Sequence, residues 1–211
     1  MLMLAALSTP AGAQGFKFSN EDKAQQEAQA ARQQRINAQL STPCLARIKD
    51  RKIMVLIGEE VNGAVQARQA SYSPHFDAIN ARLQNLGLRT YTQEEIRKQI
   101  AQAEIDAYFK NNPDAALSAA RRLAASYTLR GLISARAMRN PMIPVNQVAV
   151  SMDFVLTGAD GKRISQANAH SESFSGADVQ GMALTLINEQ ADEVVAKLYS
   201  DYCQQPEPRR K

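Results

Sequence analysis

Residues 52–57 read Lys-Ile-Met-Val-Leu-Ile and are followed at once by Gly58. A short, unbroken apolar run closed by glycine is the pattern of a strand buried on both faces, as in the middle of a sheet with helices above and below. Residues 148–156 carry a different pattern: Val148, Val150, Met152, Phe154 and Leu156 alternate with smaller or polar residues. That period of two describes a strand with one face toward the core. The two patterns in one chain point to a mixed sheet with helices covering one or both faces.

Working outward, Tyr127, Leu129, Gly131, Ile133 and Ala135 share one face of a further strand. The stretch Gly158-Ala159-Asp160-Gly161 supplies the Asp-Gly signal of a hairpin leading into a strand over residues 163–174. Between the first strand and these, Ser73-Pro74 opens a helix through Phe76, Ile79, Leu83 and Leu86 that Gly87 stops, and residues 88–91 form a short strand. Thr92-Gln93-Glu94-Glu95 is a capping box for a second helix with Ile96, Ile100, Ala103 and Ala107 inward, and Asn112-Pro113 starts a third. A final helix from about Asp178 to Tyr199 packs through Met182, Ala183, Leu186, Ile187, Val194 and Leu198. The expected fold class is α/β: a mixed, about five-stranded sheet packed against about four helices in two or three layers.

Four stretches also carry a family resemblance: KIMVLI (52–57), FDAINARLQNLGLRTYTQEEI (76–96), AASYTLRGLIS (124–134) and MDFVLTGADGKRI (152–164). Over residues 50–200 the chain resembles the CsgG-like curli-secretion domain, the TolB amino-terminal domain and the middle domain of flagellar assembly protein T. The resemblance implies an anticodon-binding-like scaffold and service in the cell envelope. The chain departs from the curli pore proteins in having neither a lipidated N-terminal Cys nor an evident pore-forming hairpin, so secretion-channel activity is not carried over.

Residues 1–13 run Met-Leu-Met-Leu-Ala-Ala-Leu-Ser-Thr-Pro-Ala-Gly-Ala, an apolar stretch ending in a small-x-small triplet, which is the layout of a secretory signal without its basic leader. Residues 14–43 are rich in Gln and Ala and are expected to form a polar helix or linker. A single domain is expected over residues 44–203, with a disordered basic tail expected at 204–211. No other segment approaches the ~20 apolar residues of a membrane span. The expected location is the periplasm, and there Cys44 and Cys203, which bracket the domain with no CxxC neighbour, are expected to form a disulfide. In the chain-entropy model such a loop stabilises by roughly 5 kcal/mol.

The chemistry of the chain is sparse. It holds 2 His and no Trp, and its net charge of +4 owes three positives to Arg209, Arg210 and Lys211, so neither a histidine-rich metal site, a stacking platform nor a nucleic-acid surface is expected. Gly58 to Gly63 has phosphate-loop glycine spacing, but Ala64-Val65 stands where Lys and Ser/Thr are required. Glu59 and Glu60 are adjacent, so their side chains point apart in a strand and read as solvated. His75 and Asp77, near Ser71 and Ser73, lie at a helix start without a nucleophile elbow and read as caps. His170 lies on the polar face of an edge strand. No cofactor, metal or catalytic constellation is expected.

The densest basic cluster comprises Arg121, Arg122, Arg130, Arg136 and Arg139, of which the last three are expected to line one strand surface. Met138, Met142 and Ile143 add apolar groups around the proline-bounded loop after it; Arg130, Arg136, Arg139, Met142 and Ile143 form the candidate interaction surface. The functional expectation is an exported, non-enzymatic accessory protein that docks on another envelope protein or associates with itself. The alternative is an exported binder of a small anionic ligand or glycan, and a third is an enzyme built around Glu59, Glu60 and His75.

Overall fold

The computed structural model describes residues 18–61, 64–67, 74–110, 112–139, 142 and 145–205. The signal-like segment 1–13, Ser71, Ser73, Ile143 and the tail from residue 206 lie outside the described residues. The chain divides into two units, Met1–Gln34 and Arg35–Lys211. Helix α1 (Phe18–Leu40) runs through the boundary and is exposed over residues 23–31. The second unit begins with Arg35, which pairs with Glu193 at 3.1 Å, and with the buried Ile36.

Six strands and seven helices are seen among the described residues. After α2 (Leu45–Ile48) come β1 (Lys52–Val61), β2 (Ala64–Gln66), α3 (Pro74–Asn85), β3 (Arg89–Thr90), α4 (Gln93–Gln99), α5 (Gln102–Phe109) and α6 (Pro113–Leu123). A meander of β4 (Tyr127–Arg139), β5 (Asn146–Gly158) and β6 (Arg163–Ser175) follows, then α7 (Val179–Gln204). The sheet order is β2-β1-β4-β5-β6, with β3 also paired to β1. β1 runs parallel to β3 and β4, and the other pairings are antiparallel, so the sheet is mixed as expected.

Three layers result because β1 is buried on both sides. Ile53, Val55 and Ile57 join a cluster with Phe76, Ile79 and Leu83 of α3, Leu186, Ile187 and Val194 of α7, and the alternating apolar face of β5. Met54 and Leu56 point the other way, into a second cluster with Ile96, Ile105, Phe109, Ala120 and Leu123 from around α4, α5 and α6. The two covers differ in extent. The first cluster draws on β1, β4, β5 and β6, whereas the second contains no residue of β4, β5 or β6.

Several expectations need correction. Gly58 does not end the first strand: β1 continues to Val61 and folds back against β2. The glycine serves close approach, since a Cβ there would stand 2.8 Å from both Phe109 and Val65. The helix expected through Ala103 and Ala107 is two helices, because Ile100 is extended (φ −132°, ψ 123°) and α5 restarts after Ala101, with Glu104 accepting the Ala101 N–H at 3.0 Å. Ile105 and Phe109, not Ala103, are then buried. β4 runs past Ala135 to Arg139.

Other local expectations hold. Thr92 and Glu95 form the capping box, Pro113 starts α6, and Asp178 caps α7 by accepting the Gly181 N–H at 2.8 Å. The Asp160-Gly161 turn closes the β5–β6 hairpin with Gly161 at φ +80°, a conformation open to glycine. Cys44 and Cys203 are joined by a disulfide. Around it sit Ile48 and Tyr199, and the Tyr199 hydroxyl donates to the Thr42 carbonyl at 2.7 Å.

Candidate functional site

Strand parity distributes the candidate residues. Leu129 and Ile133 of β4 face α7, so Arg130 and Arg136 point to the opposite side, and Arg139, an odd number of positions away, returns to the α7 side. The three arginines therefore do not line one surface. Arg130 lies under α5, its guanidinium 5.6 Å from the Tyr108 ring and 5.2 Å from Phe109, and its buried Nε has no hydrogen-bond partner. Stacking on two rings holds this cation in place of a carboxylate. Burial raises the pKa of the Tyr108 phenol, an effect the Arg130 charge partly offsets. Arg122 is also engaged, donating to both Glu104 oxygens at 2.7 and 2.8 Å.

The adjacent glutamates diverge, as alternation requires. Glu60 accepts from Arg136 at 2.6 Å on the α5 side, and Glu59 meets Nδ1 of His75 at 3.0 Å on the α7 side. Glu59 and His75 belong to elements joined through β2, and they meet because β1 ends where α3 begins. The pair borders a cleft of about 510 Å³, with a floor of Ala135 and Val148 and a wall formed by the first turns of α7, including Gly181 and Leu184. No serine, threonine or cysteine is among the described residues that line it. Glu59 and His75 can hold one another and orient a polar group of a ligand. No group of three metal-ligating side chains occurs among the described residues.

Of the remaining candidates, His170 lies on the face of the meander turned away from α7. The β4–β5–β6 register stacks cross-strand rows there: Leu132, Asp153 and Asn168; Ser134, Ser151 and His170; Arg136, Ala149 and Glu172; Met138, Gln147 and Phe174. His170 is exposed on edge strand β6 as expected. The last row is apolar at both ends, with Met138 55% and Phe174 57% exposed. Met142, just beyond, is 89% exposed. Phe174 is absent from the sequence-based candidates because its partner across the sheet, Met138, is set by a register that passes through β5.

No protein-family model matches the sequence, and no curated protein matches it. The fold is similar to that of the hypothetical protein CT253 from Chlamydia trachomatis, with a TM-score of 0.51 at 12% identity over 74% of this chain and 99% of that one. Weaker likenesses are to lipoprotein GNA1162 from Neisseria meningitidis (TM-score 0.42, 16% identity, 69% of this chain and 98% of that one) and to the LpoB C-terminal domain from Salmonella enterica (TM-score 0.40, 17% identity, 62% and 93%). No helix among the described residues is long and apolar enough to cross a membrane.

Proposed function

We propose that this chain is an exported, non-enzymatic accessory protein of the cell envelope that docks on another envelope component through the Met138–Phe174 end of the β4–β5–β6 face turned away from α7. The observation that carries the reading is the row of Met138 and Phe174, two large apolar side chains left more than half exposed at a place where no described helix packs on the sheet. The Cys44–Cys203 disulfide supports export, because such bonds persist in oxidising compartments. The resemblance of residues 50–200 to CsgG-like and TolB amino-terminal domains belongs to the same reading.

The test is photo-crosslinking from position 138 or 174 in cells, with Lys98 on α4 as a remote control. One envelope protein joined from positions 138 and 174 but not 98, and lost when Phe174→Glu is introduced with the probe at 138, supports docking. Equal crosslinking from all three positions, or none, removes it. A second reading, binding of a small polar ligand or glycan, is favoured by the Glu59–His75 pair at the cleft. Its test is whether His75→Ala abolishes glycan-induced shifts of the cleft residues in an NMR titration.

A further inference from the structure

The two sides of the sheet end very differently. On one side the outermost strands are β2, of three residues, and β3, of two. Such short edges offer little backbone for another strand to pair with. On the other side the outermost strand is β6, of 13 residues, and among the described residues no strand pairs with its outer edge. From Arg163 to Ser175 it contains no proline or lysine, and its fixed charges and its bulge lie toward its ends, which leaves the middle of the edge open.

We propose that the outer edge of β6 pairs with β6 of a second copy of this chain, antiparallel, about a twofold axis passing at Asn168. The choice of occupant comes from charge. β6 carries one fixed positive charge, Arg163, near its start and one negative charge, Glu172, near its end. Both lie on the open face, since Arg163 is registered with Thr157 and Glu172 with Ala149. A parallel neighbour would set like charges beside like, which costs free energy, whereas an antiparallel copy sets each arginine beside the other's glutamate, twice per pair.

The register follows from the fold. With Asn168 facing Asn168 of the second copy, Gln166 faces His170 and Ser165 faces Ser171, and all these pairs share a face as pairing demands. Simple counting would leave Arg163 one place short of Glu172. The irregularity at the start of β6, where Thr157 pairs with Arg163 but Leu156 with Ser165, inserts Ile164 as an extra residue and closes that gap. Glu172 is exposed, and Arg163 spends its guanidinium on Gln166 of its own strand at 3.2 Å, a contact a carboxylate readily replaces. The pairing places both α7 helices on one side and joins the two open faces into one continuous surface. It goes beyond the docking reading and uses a different part of β6.

The experiment measures the mass of the oxidised protein by light scattering across a concentration series. The expected result is twice the mass of one chain, loss of the dimer in Glu172→Arg, and its return in the double exchange Arg163→Glu with Glu172→Arg. Asn168→Cys is expected to form a disulfide-linked dimer across the axis, while Asp114→Cys on α6 is not. Single-chain mass at every concentration, or a dimer that survives Glu172→Arg and leaves Asn168→Cys uncrosslinked, overturns the proposal. Circular dichroism confirms that each variant is folded, and the double exchange guards against a variant that merely misfolds. A monomer that still crosslinks from Met138 sinks the pairing and leaves docking intact; a dimer without that crosslink does the reverse.

Discussion

Gly131→Ala separates two physical arguments that predict opposite signs. If Gly131 were an ordinary strand glycine, alanine would stabilise the protein by about 0.4–1 kcal/mol, because it narrows the unfolded ensemble. In the structure Gly131 lies directly opposite Phe154, whose ring is 0% exposed. A Cβ at position 131 would stand 2.8 Å from Cδ1 and 2.9 Å from Cζ of that ring, with Cε1 closer still. Carbon atoms in good contact stand about 3.5–4.0 Å apart, so the ring would have to withdraw by about 1 Å into the cluster that holds Met152, Ile187 and Val194. A rigid ring enclosed on all sides cannot swing aside, which puts the cost at about 3 kcal/mol, the upper end for overpacking. For a chain of this size that corresponds to a melting temperature lowered by roughly 6–12 °C. The assay is urea unfolding of the oxidised protein followed by circular dichroism. Adding Phe154→Leu is expected to recover part of the loss, and Gly176→Ala, where nothing lies within 4 Å, to stay within about 0.5 kcal/mol of the parent. A Gly131→Ala protein as stable as the parent would refute the argument.

Three further outcomes are expected. Reducing the Cys44–Cys203 disulfide, which closes a separation of 159 residues, removes up to about 5 kcal/mol, and equal melting temperatures with and without reductant would show that the bond contributes nothing. Thr92→Ala costs about 1 kcal/mol by leaving the Glu95 N–H without its cap, measured by the same unfolding assay. The hydrogen bond from Arg122, then that from the Ala101 N–H, holds the Glu104 carboxyl below its ordinary range. A depressed folded pKa stabilises above the unfolded value near ~4.3 and is lost as pH falls through the folded value, so the stability gap between the parent and Glu104→Gln closes on acidification from pH 6 toward 3. A gap that widens would reverse the assignment.

What the sequence made legible was whatever local pattern controls. The apolar run of β1, the alternation Val148 to Leu156, the Thr92 box and the Asp160-Gly161 turn each need only a few neighbouring residues, and each appears where expected. Gly58 closes the apolar run without ending β1, because a glycine at a strand end and a glycine under a phenylalanine look alike until Phe109 arrives from α5. The basic cluster divides for a reason already present in the numbering: an even offset keeps Arg130 and Arg136 together and an odd one turns Arg139 away. The Glu59–His75 pair and the Met138–Phe174 row depend on how distant elements meet, which no local period encodes.

The uneven cover of the sheet bears on how strongly a partner can bind. Toward α7, β5 presents Val148, Val150, Met152, Phe154 and Leu156, and burying them requires the helix that follows. Toward the open side the same strand presents Gln147, Ala149, Ser151, Asp153, Val155 and Thr157, and β6 adds Gln166, Asn168, His170 and Glu172. Water satisfies most of these groups, so the second face needs no helix for the domain to fold. The large exposed apolar side chains there, Met138 and Phe174, would each contribute about 1.5–3 kcal/mol if buried from full exposure, and roughly half of that from where they stand. A surface with so small an apolar centre and so polar a surround suits reversible docking, in which complementary hydrogen bonds set the partner and two side chains supply much of the affinity. A permanent interface would need a larger apolar area than these rows provide, so exchange between bound and free forms is the behaviour this face favours.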